Sequence, residues 1–108
     1  MKNRLGEFEE IVLLTVAILH EEAYGVSIIE EMEKRLDRKV SIGALQVVLR
    51  RLEQKGYLIS AFGEATKVRG GKRKRFFSIT NFGKKALTQA KEQRLELWKA
   101  IPKIMLSK

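Results

Sequence analysis

The sequence contains no cysteine. Disulfides, thiolate metal centres and a cysteine nucleophile are thereby excluded, and the absence fits a reducing cytoplasm, the compartment expected here. Histidine occurs once, as His20, beside Glu21 and Glu22. That cluster offers too few spaced ligands for a metal site. A cation near the end of a helix is the simpler reading. Proline also occurs once, as Pro102, so nearly all of the chain is open to regular structure. The longest apolar run, residues 11–19, is interrupted by Thr15 and falls far short of the roughly 20 residues that cross a bilayer. Residues 1–6 lack the apolar centre of a secretion signal. No phosphate-binding loop, dinucleotide fingerprint or nucleophile–base pair is present, so neither an enzyme nor a cofactor is expected.

What the chain does have is length enough for one unstapled domain, at 108 residues, and an uneven charge. The formal net charge is +9. Residues 1–40 hold six Lys/Arg and nine Asp/Glu, whereas residues 41–108 hold sixteen and four. An acidic part joined to a strongly basic part implies one surface turned toward a polyanion. A solubilising surface charge gives the same totals.

Phe8, Ile11, Val12, Leu14, Thr15, Ile18 and Leu19 recur at helical spacing and predict a first helix over 7–20. Its middle is apolar nearly all round, so it needs burial on more than one side, which a partner chain supplies. Val26, Ile28, Ile29, Met32 and Leu36 predict a second helix. Ser41 is a good N-cap for a third, with an apolar stripe of Ile42, Leu45, Val48, Leu49 and Leu52 and a stop at Gly56. The period then changes. Residues 58–62 read as a strand, 63–74 as a basic, glycine-bearing loop and 75–79 as a returning strand. A fourth helix, capped by Thr80 or Asn81, carries Phe82, Ala86, Leu87, Ala90, Leu97, Trp98 and Ile101, and Pro102 ends or kinks it near Ile101. The order gives an α+β, mostly α fold. Residues 1–79 form a winged helix-turn-helix of three helices and a two-stranded β-wing, and residues 80–108 form a long C-terminal dimerisation helix.

Opposite its apolar stripe, the third helix presents Gly43, Gln46, Val47, Arg50 and Gln54 along one face. Arginine pairs with guanine acceptors, glutamine with adenine, and an apolar side chain meets a thymine methyl. Gly43 and Ala44 are small enough for a close approach, and free N–H groups beside Ser41 suit a phosphate. An ordinary solvated helix face has a similar composition. Downstream, Lys67, Arg69, Lys72, Arg73, Lys74 and Arg75 are six cations in nine residues with no acid among them. Phosphates would relieve their mutual repulsion and make binding salt-dependent. The plain alternative is a solvated loop protecting a strand edge. Phe76 and Phe77 lie on a strand with at least one facing the core, a poor platform for stacking bases.

Several stretches, taken together and in order, resemble the PadR family of transcription regulators in its short form. They are Leu5-Gly6-Glu7-Phe8-Glu9, Ala23-Tyr24-Gly25-Val26, Ser41-Ile42-Gly43-Ala44-Leu45 and Arg51-Leu52-Glu53-Gln54-Lys55-Gly56. Arg69-Gly70-Gly71-Lys72-Arg73-Lys74-Arg75-Phe76-Phe77 and Ile79-Thr80-Asn81-Phe82-Gly83 match the wing and its exit. The resemblance runs from Leu5 to Gly83. It implies a homodimeric repressor on a roughly palindromic double-stranded DNA operator, in some members released by a planar apolar effector. The family usually has tyrosine then proline where this chain has Gln46 and Val47, so the operator sequence stays open, as do the regulated genes and repression versus activation.

The DNA-contacting residues expected are Ser41, Gly43, Ala44, Gln46, Val47, Arg50, Lys67, Arg69, Lys72, Arg73 and Lys74. A symmetric dimer is expected through Phe8, Ile11, Leu87, Leu97, Trp98 and Ile101. Small multidrug-sensing relatives place a tryptophan on the last helix against flat ligands. Trp98, with Phe8 or Leu97 completing the wall, is the corresponding ligand-binding candidate, and simple packing at the interface is the alternative. A protein-interaction winged helix and a non-specific nucleic-acid binder are the competing functions.

Overall fold

In the computed structural model, residues 5–63 and 73–107 are described. Helix α1 spans Glu7–Leu19 and is followed by a 3₁₀ turn at His20–Glu22. Its start is held by Glu9, whose Oε1 accepts the Gly6 N–H at 2.8 Å. Helix α2 spans Gly25–Leu36 and ends where Asp37 turns left-handed at φ +52°. Helix α3 spans Ile42–Gln54. The Ser41 hydroxyl accepts the Ala44 N–H at 3.1 Å, the expected N-cap. The helix closes at Gly56, whose φ of +84° a side chain would strain.

Strands β1 (Leu58–Phe62) and β2 (Arg75–Ile79) pair antiparallel, with Leu58 opposite Ile79 and Phe62 opposite Arg75. Leu58 and Phe77 are buried while Ile59, Phe62 and Ser78 face out. The Phe77 N–H also donates to the Ala23 carbonyl at 2.8 Å, which ties the hairpin base to the turn before α2. Helix α4 spans Asn81–Ala100. The Thr80 hydroxyl accepts the Gly83 N–H at 2.9 Å and donates to the Gly56 carbonyl at 2.7 Å, so one cap joins the ends of two helices. A short α5, Lys103–Leu106, begins after Pro102.

Val12, Leu13 and Val16 from α1, Ile28 and Met32 from α2, and Leu45, Leu49 and Leu52 from α3 meet Tyr57, Leu58 and Phe77 in one core. Each fully buried aliphatic side chain contributes about 1.5–3 kcal/mol. The winged helix-turn-helix order inferred from the sequence is the order found. Some stripe positions differ: Leu14 and Ile18 on α1 and Val26 and Leu36 on α2 are exposed, and so is one on α3. Ile42 is exposed, and its Cδ1 lies 2.9 Å from where a Gly25 Cβ would stand, so it covers the start of α2 instead of entering the core.

The first turns of α4 pack on this core: Phe82 stacks on Tyr57 at 5.1 Å, and Ala86 and Leu87 are half-buried. From Lys91 to Ala100 every residue is exposed. A 20-residue helix is about 30 Å long, and this one makes the chain elongated, with a long axis of 60 Å. The radius of gyration is 16.5 Å, against about 13 Å for a compact chain of similar length. Among the described residues no single helix is long and apolar enough to cross a membrane.

Candidate nucleic-acid interface

Because the core stripe of α3 points inward, its other face is turned out, and Gly43, Ala44, Gln46, Val47, Arg50 and Gln54 are all exposed. Val47 is 48% exposed, on a helix that buries four other aliphatic side chains. No atom lies within 4 Å of a Cβ built at Gly43, so this end of the helix is open to a close approach. Ser41 is exposed and its hydroxyl is engaged as the cap.

Beside α3 runs a cleft of about 470 Å³ lined on one wall by Gln46, Arg50 and Glu53, and on the other by Arg73, Lys74 and Arg75. Lys74 places its ammonium 4.2 Å from the Tyr24 ring centre. Arg73 donates from Nε to the Gly63 carbonyl at 2.8 Å and lies over the Phe62 ring at 5.5 Å. Aromatic faces and a carbonyl thus hold these cations at the outer end of the hairpin. Lys67, Arg69 and Lys72 lie outside the described residues.

Two charged networks went unread in the sequence. The first joins α3 to the wing: Glu53 Oε2 accepts the Ser60 hydroxyl at 2.6 Å, and Arg75 donates from Nε to Ser60 Oγ at 2.9 Å and from Nη2 to Glu53 Oε1 at 3.4 Å. Its only sequence signal is an acid three residues after Arg50. The second centres on Glu9. The Glu9 side chain is only 8% exposed. Lys55 Nζ donates to both of its oxygens at 3.0 Å, and Arg51 lies 3.9 Å away. Burial pushes the Glu9 carboxyl up. The Gly6 N–H, Lys55 and Arg51 together outweigh that and hold it below its ordinary value. Burial and the nearby Glu9 charge push the Tyr57 hydroxyl up. The signal for Glu9 was its place three residues after Gly6, where a carboxylate reaches back to a helix start.

His20 caps the end of α1, exposed, with Nε2 3.7 Å from Glu21. Among the described residues no group of three His, Cys, Asp or Glu side chains is placed to hold a metal.

A second concavity, of about 380 Å³, lies between α1 and α4. Trp98, Leu14, Leu87 and Leu95 give it apolar walls, and Glu10, Lys91 and Arg94 line its rim. Arg94 Nη2 donates to Glu10 Oε1 at 2.8 Å across it. Neither Phe8 nor Leu97 completes the Trp98 wall within one chain. Phe8 is half-buried against the core beneath the Arg38 guanidinium, and Leu97 is 71% exposed. Leu14 and Leu95 stand there instead, because α4 crosses the face of α1 that points away from the core. Ile11, Leu87 and Ile101 are half-buried.

The family model for the transcriptional regulator PadR-like family matches residues 13–89, from within α1 to the middle of α4. Among curated proteins none matches the chain. Solved structures do. A PadR-like transcription factor from Bacteroides fragilis is 27% identical, with a TM-score of 0.71 over 85% of this chain and 84% of that one. A PadR family regulator from Clostridium difficile R20291 is 26% identical, with a TM-score of 0.65 over 90% and 98%. A transcriptional regulator from Clostridium thermocellum is 28% identical, with a TM-score of 0.67 over 85% and 84%. The family model covers well over half of the sequence, and this chain belongs to the PadR-like family of transcriptional regulators.

Proposed function

We propose that the chain is a homodimeric repressor that reads a palindromic operator with α3 and grips the flanking backbone with its wing. The observation that carries this reading is the single cleft in which Gln46 and Arg50 on α3 face Arg73 and Lys74 at the outer end of the hairpin. Base-reading side chains and phosphate-binding cations then follow one DNA surface. Ser41, Gly43 and Ala44 meet the backbone at the helix start, and Val47 meets a thymine methyl. Lys67, Arg69 and Lys72 extend the phosphate contacts.

The dimer rests on exposed apolar side chains that a second copy would cover: Leu14 and Ile18 on α1, and Leu95, Leu97 and Trp98 on α4. Phe8, Ile11, Leu87 and Ile101 border them. The α1–α4 groove has a volume within the range of small-molecule sites. We assign it to a planar apolar effector that stacks on Trp98.

The test is a titration against the intergenic DNA upstream of the protein's own gene, with a scrambled duplex of equal length, at two salt concentrations. A preference of a thousandfold or more is expected. Equal, salt-sensitive affinity for both duplexes would favour a non-specific binder, and absence of binding at low salt would favour a protein-interaction module. Arg50→Ala is expected to cost about 1–3 kcal/mol on the specific duplex and to relax the preference at one base pair. Arg73→Ala should weaken both duplexes alike and flatten the salt slope by about one. For the groove, a planar aromatic compound that quenches Trp98 fluorescence is expected to release DNA. Trp98→Ala should raise the concentration required by about tenfold, since a lost aromatic stack is worth roughly 0.5–1.5 kcal/mol. Unchanged release would remove Trp98 from the effector site.

A further inference from the structure

Three side chains from three elements close a triangle at the junction of the recognition helix and the wing: Glu53 on α3, Ser60 on β1 and Arg75 on β2. Hydrogen-bond chemistry fixes its polarity. An ionised carboxylate only accepts and a guanidinium only donates. The Ser60 hydroxyl therefore gives its one proton to Glu53 Oε2 at 2.6 Å and accepts from Arg75 Nε at 2.9 Å. Arg75 Nη2 reaches Glu53 Oε1 at 3.4 Å and completes the loop. The guanidinium also rests 5.4 Å from the Phe62 ring centre and 5.9 Å from that of Phe77.

The hairpin is fixed to the core at its base, through Tyr57, Leu58 and the Phe77–Ala23 hydrogen bond. Farther out, Ala61, Phe62, Arg73, Lys74 and Arg75 are exposed, and among the described residues the triangle ties that part to α3. Glu53 also stands in the cleft among Arg50, Arg73, Lys74 and Arg75, where a bound polyanion would repel it. An acid at that place weakens phosphate binding unless it does something else.

We propose that Glu53 is a positioning residue that sets the angle of the wing to the recognition helix through Ser60, and that Arg75 is its brace and not a phosphate ligand. The inference rests on the DNA-binding reading above. It makes the spacing between Arg50 and the Arg73–Lys74 pair, and with it the operator preference, depend on a contact that touches no DNA.

Two charge-conserving variants and two charge-removing variants test it. Ser60→Ala and Arg75→Lys leave net charge unchanged but remove the Nε–hydroxyl link. They are expected to lower the ratio of specific to scrambled-duplex affinity about tenfold, the scale of one lost charged hydrogen bond. The salt slope should stay as in the wild type. Glu53→Gln should lower the same ratio while binding to the scrambled duplex holds or rises. A purely structural role would lower both affinities together along with thermal stability. Arg75→Ala flattening the salt slope by about one, as expected for Arg73→Ala, would overturn the proposal, as would an unchanged ratio in Ser60→Ala. A measurement without DNA separates this inference from the reading it rests on. In the free protein the Arg75 Nε–H should exchange with water more slowly than that of exposed Arg50, and Ser60→Ala should abolish the difference. Equal exchange in the wild type would defeat the brace whatever the DNA experiments show. A protected Arg75 in a protein that prefers no duplex would instead defeat the operator reading.

Discussion

Replacing Lys55 with methionine is expected to destabilise the fold by about 3 kcal/mol at neutral pH, and the loss should shrink in acid. Methionine keeps most of the apolar stem but removes the cation that Glu9 holds with both oxygens. The carboxylate is 8% exposed, so water cannot take over. The Gly6 N–H and Arg51, the latter 3.9 Å away and itself half exposed, remain as partial compensation. Removing one partner of a buried pair typically costs about 3–5 kcal/mol, and this compensation places the value at the lower end. In the wild type the Glu9 carboxyl titrates below its ordinary value. A depressed pKa in the fold means that the ionised form stabilises it. That contribution is complete above the unfolded value of about 4.3 and is lost as pH falls through the lower folded value. In Lys55→Met the burial that raises the pKa has less to oppose it, so protonation relieves the fold. Chemical denaturation midpoints at pH 7 and below pH 4 check this. The two proteins should differ widely at pH 7 and converge in acid, and a constant gap would show that packing, not charge, was lost.

Gly83→Ala is expected to lower stability by about 1–3 kcal/mol, although alanine is the better helix former by roughly 1 kcal/mol. Gly83 sits in the first turn of α4 with its N–H bound to the Thr80 hydroxyl. A Cβ there would stand 2.4 Å from the Tyr57 carbonyl oxygen and 2.8 Å from Ile79 Cγ1. The carbonyl cannot move aside cheaply, since it accepts the Thr80 N–H at 3.0 Å and belongs to a residue that is 1% exposed. The clash would push α4 from the winged core, weakening the Phe82–Tyr57 stack and widening the α1–α4 groove. A thermal scan should show the midpoint falling by roughly 10 °C. Gly43→Ala is the control: nothing lies near its Cβ, so its midpoint should hold or rise slightly. Equal behaviour of the two variants would mean that close approach is not why glycine occupies position 83.

Much of the fold was legible because its causes are local. Ser41 and Gly56 bracket α3 through contacts within a few residues. Pro102 ends α4 through its missing N–H, and the period change after Tyr57 marks the hairpin. The outward face of α3 followed from the inward stripe, since a helix that buries Leu45, Val48, Leu49 and Leu52 must expose Gln46, Val47 and Arg50. Other features were not legible. Alternation required one of Phe76 and Phe77 to face inward, but the choice of Phe77 follows from the hydrogen bond to Ala23, far away in sequence. Ile42 fits the apolar stripe by spacing, yet the path of α2 leaves it on the surface over Gly25.

Local signals carried the four long helices, the hairpin, their order, the exposed row on α3 and the concentration of positive charge beyond residue 40, but not the 3₁₀ turn after α1 or the short α5. Periodicity, capping and composition act over a few residues and survive without knowledge of the packing. Packing assigned the charges their partners. Glu9 meets Lys55 across 46 positions, Glu53 meets Arg75 across 22, and Glu10 meets Arg94 across 84. Each pairing turns a residue that looks solvent-facing into a tie between elements. The physical reason is the short reach of these interactions: an ion pair forms within about 4 Å, and only the packing of whole helices and strands brings distant positions that close.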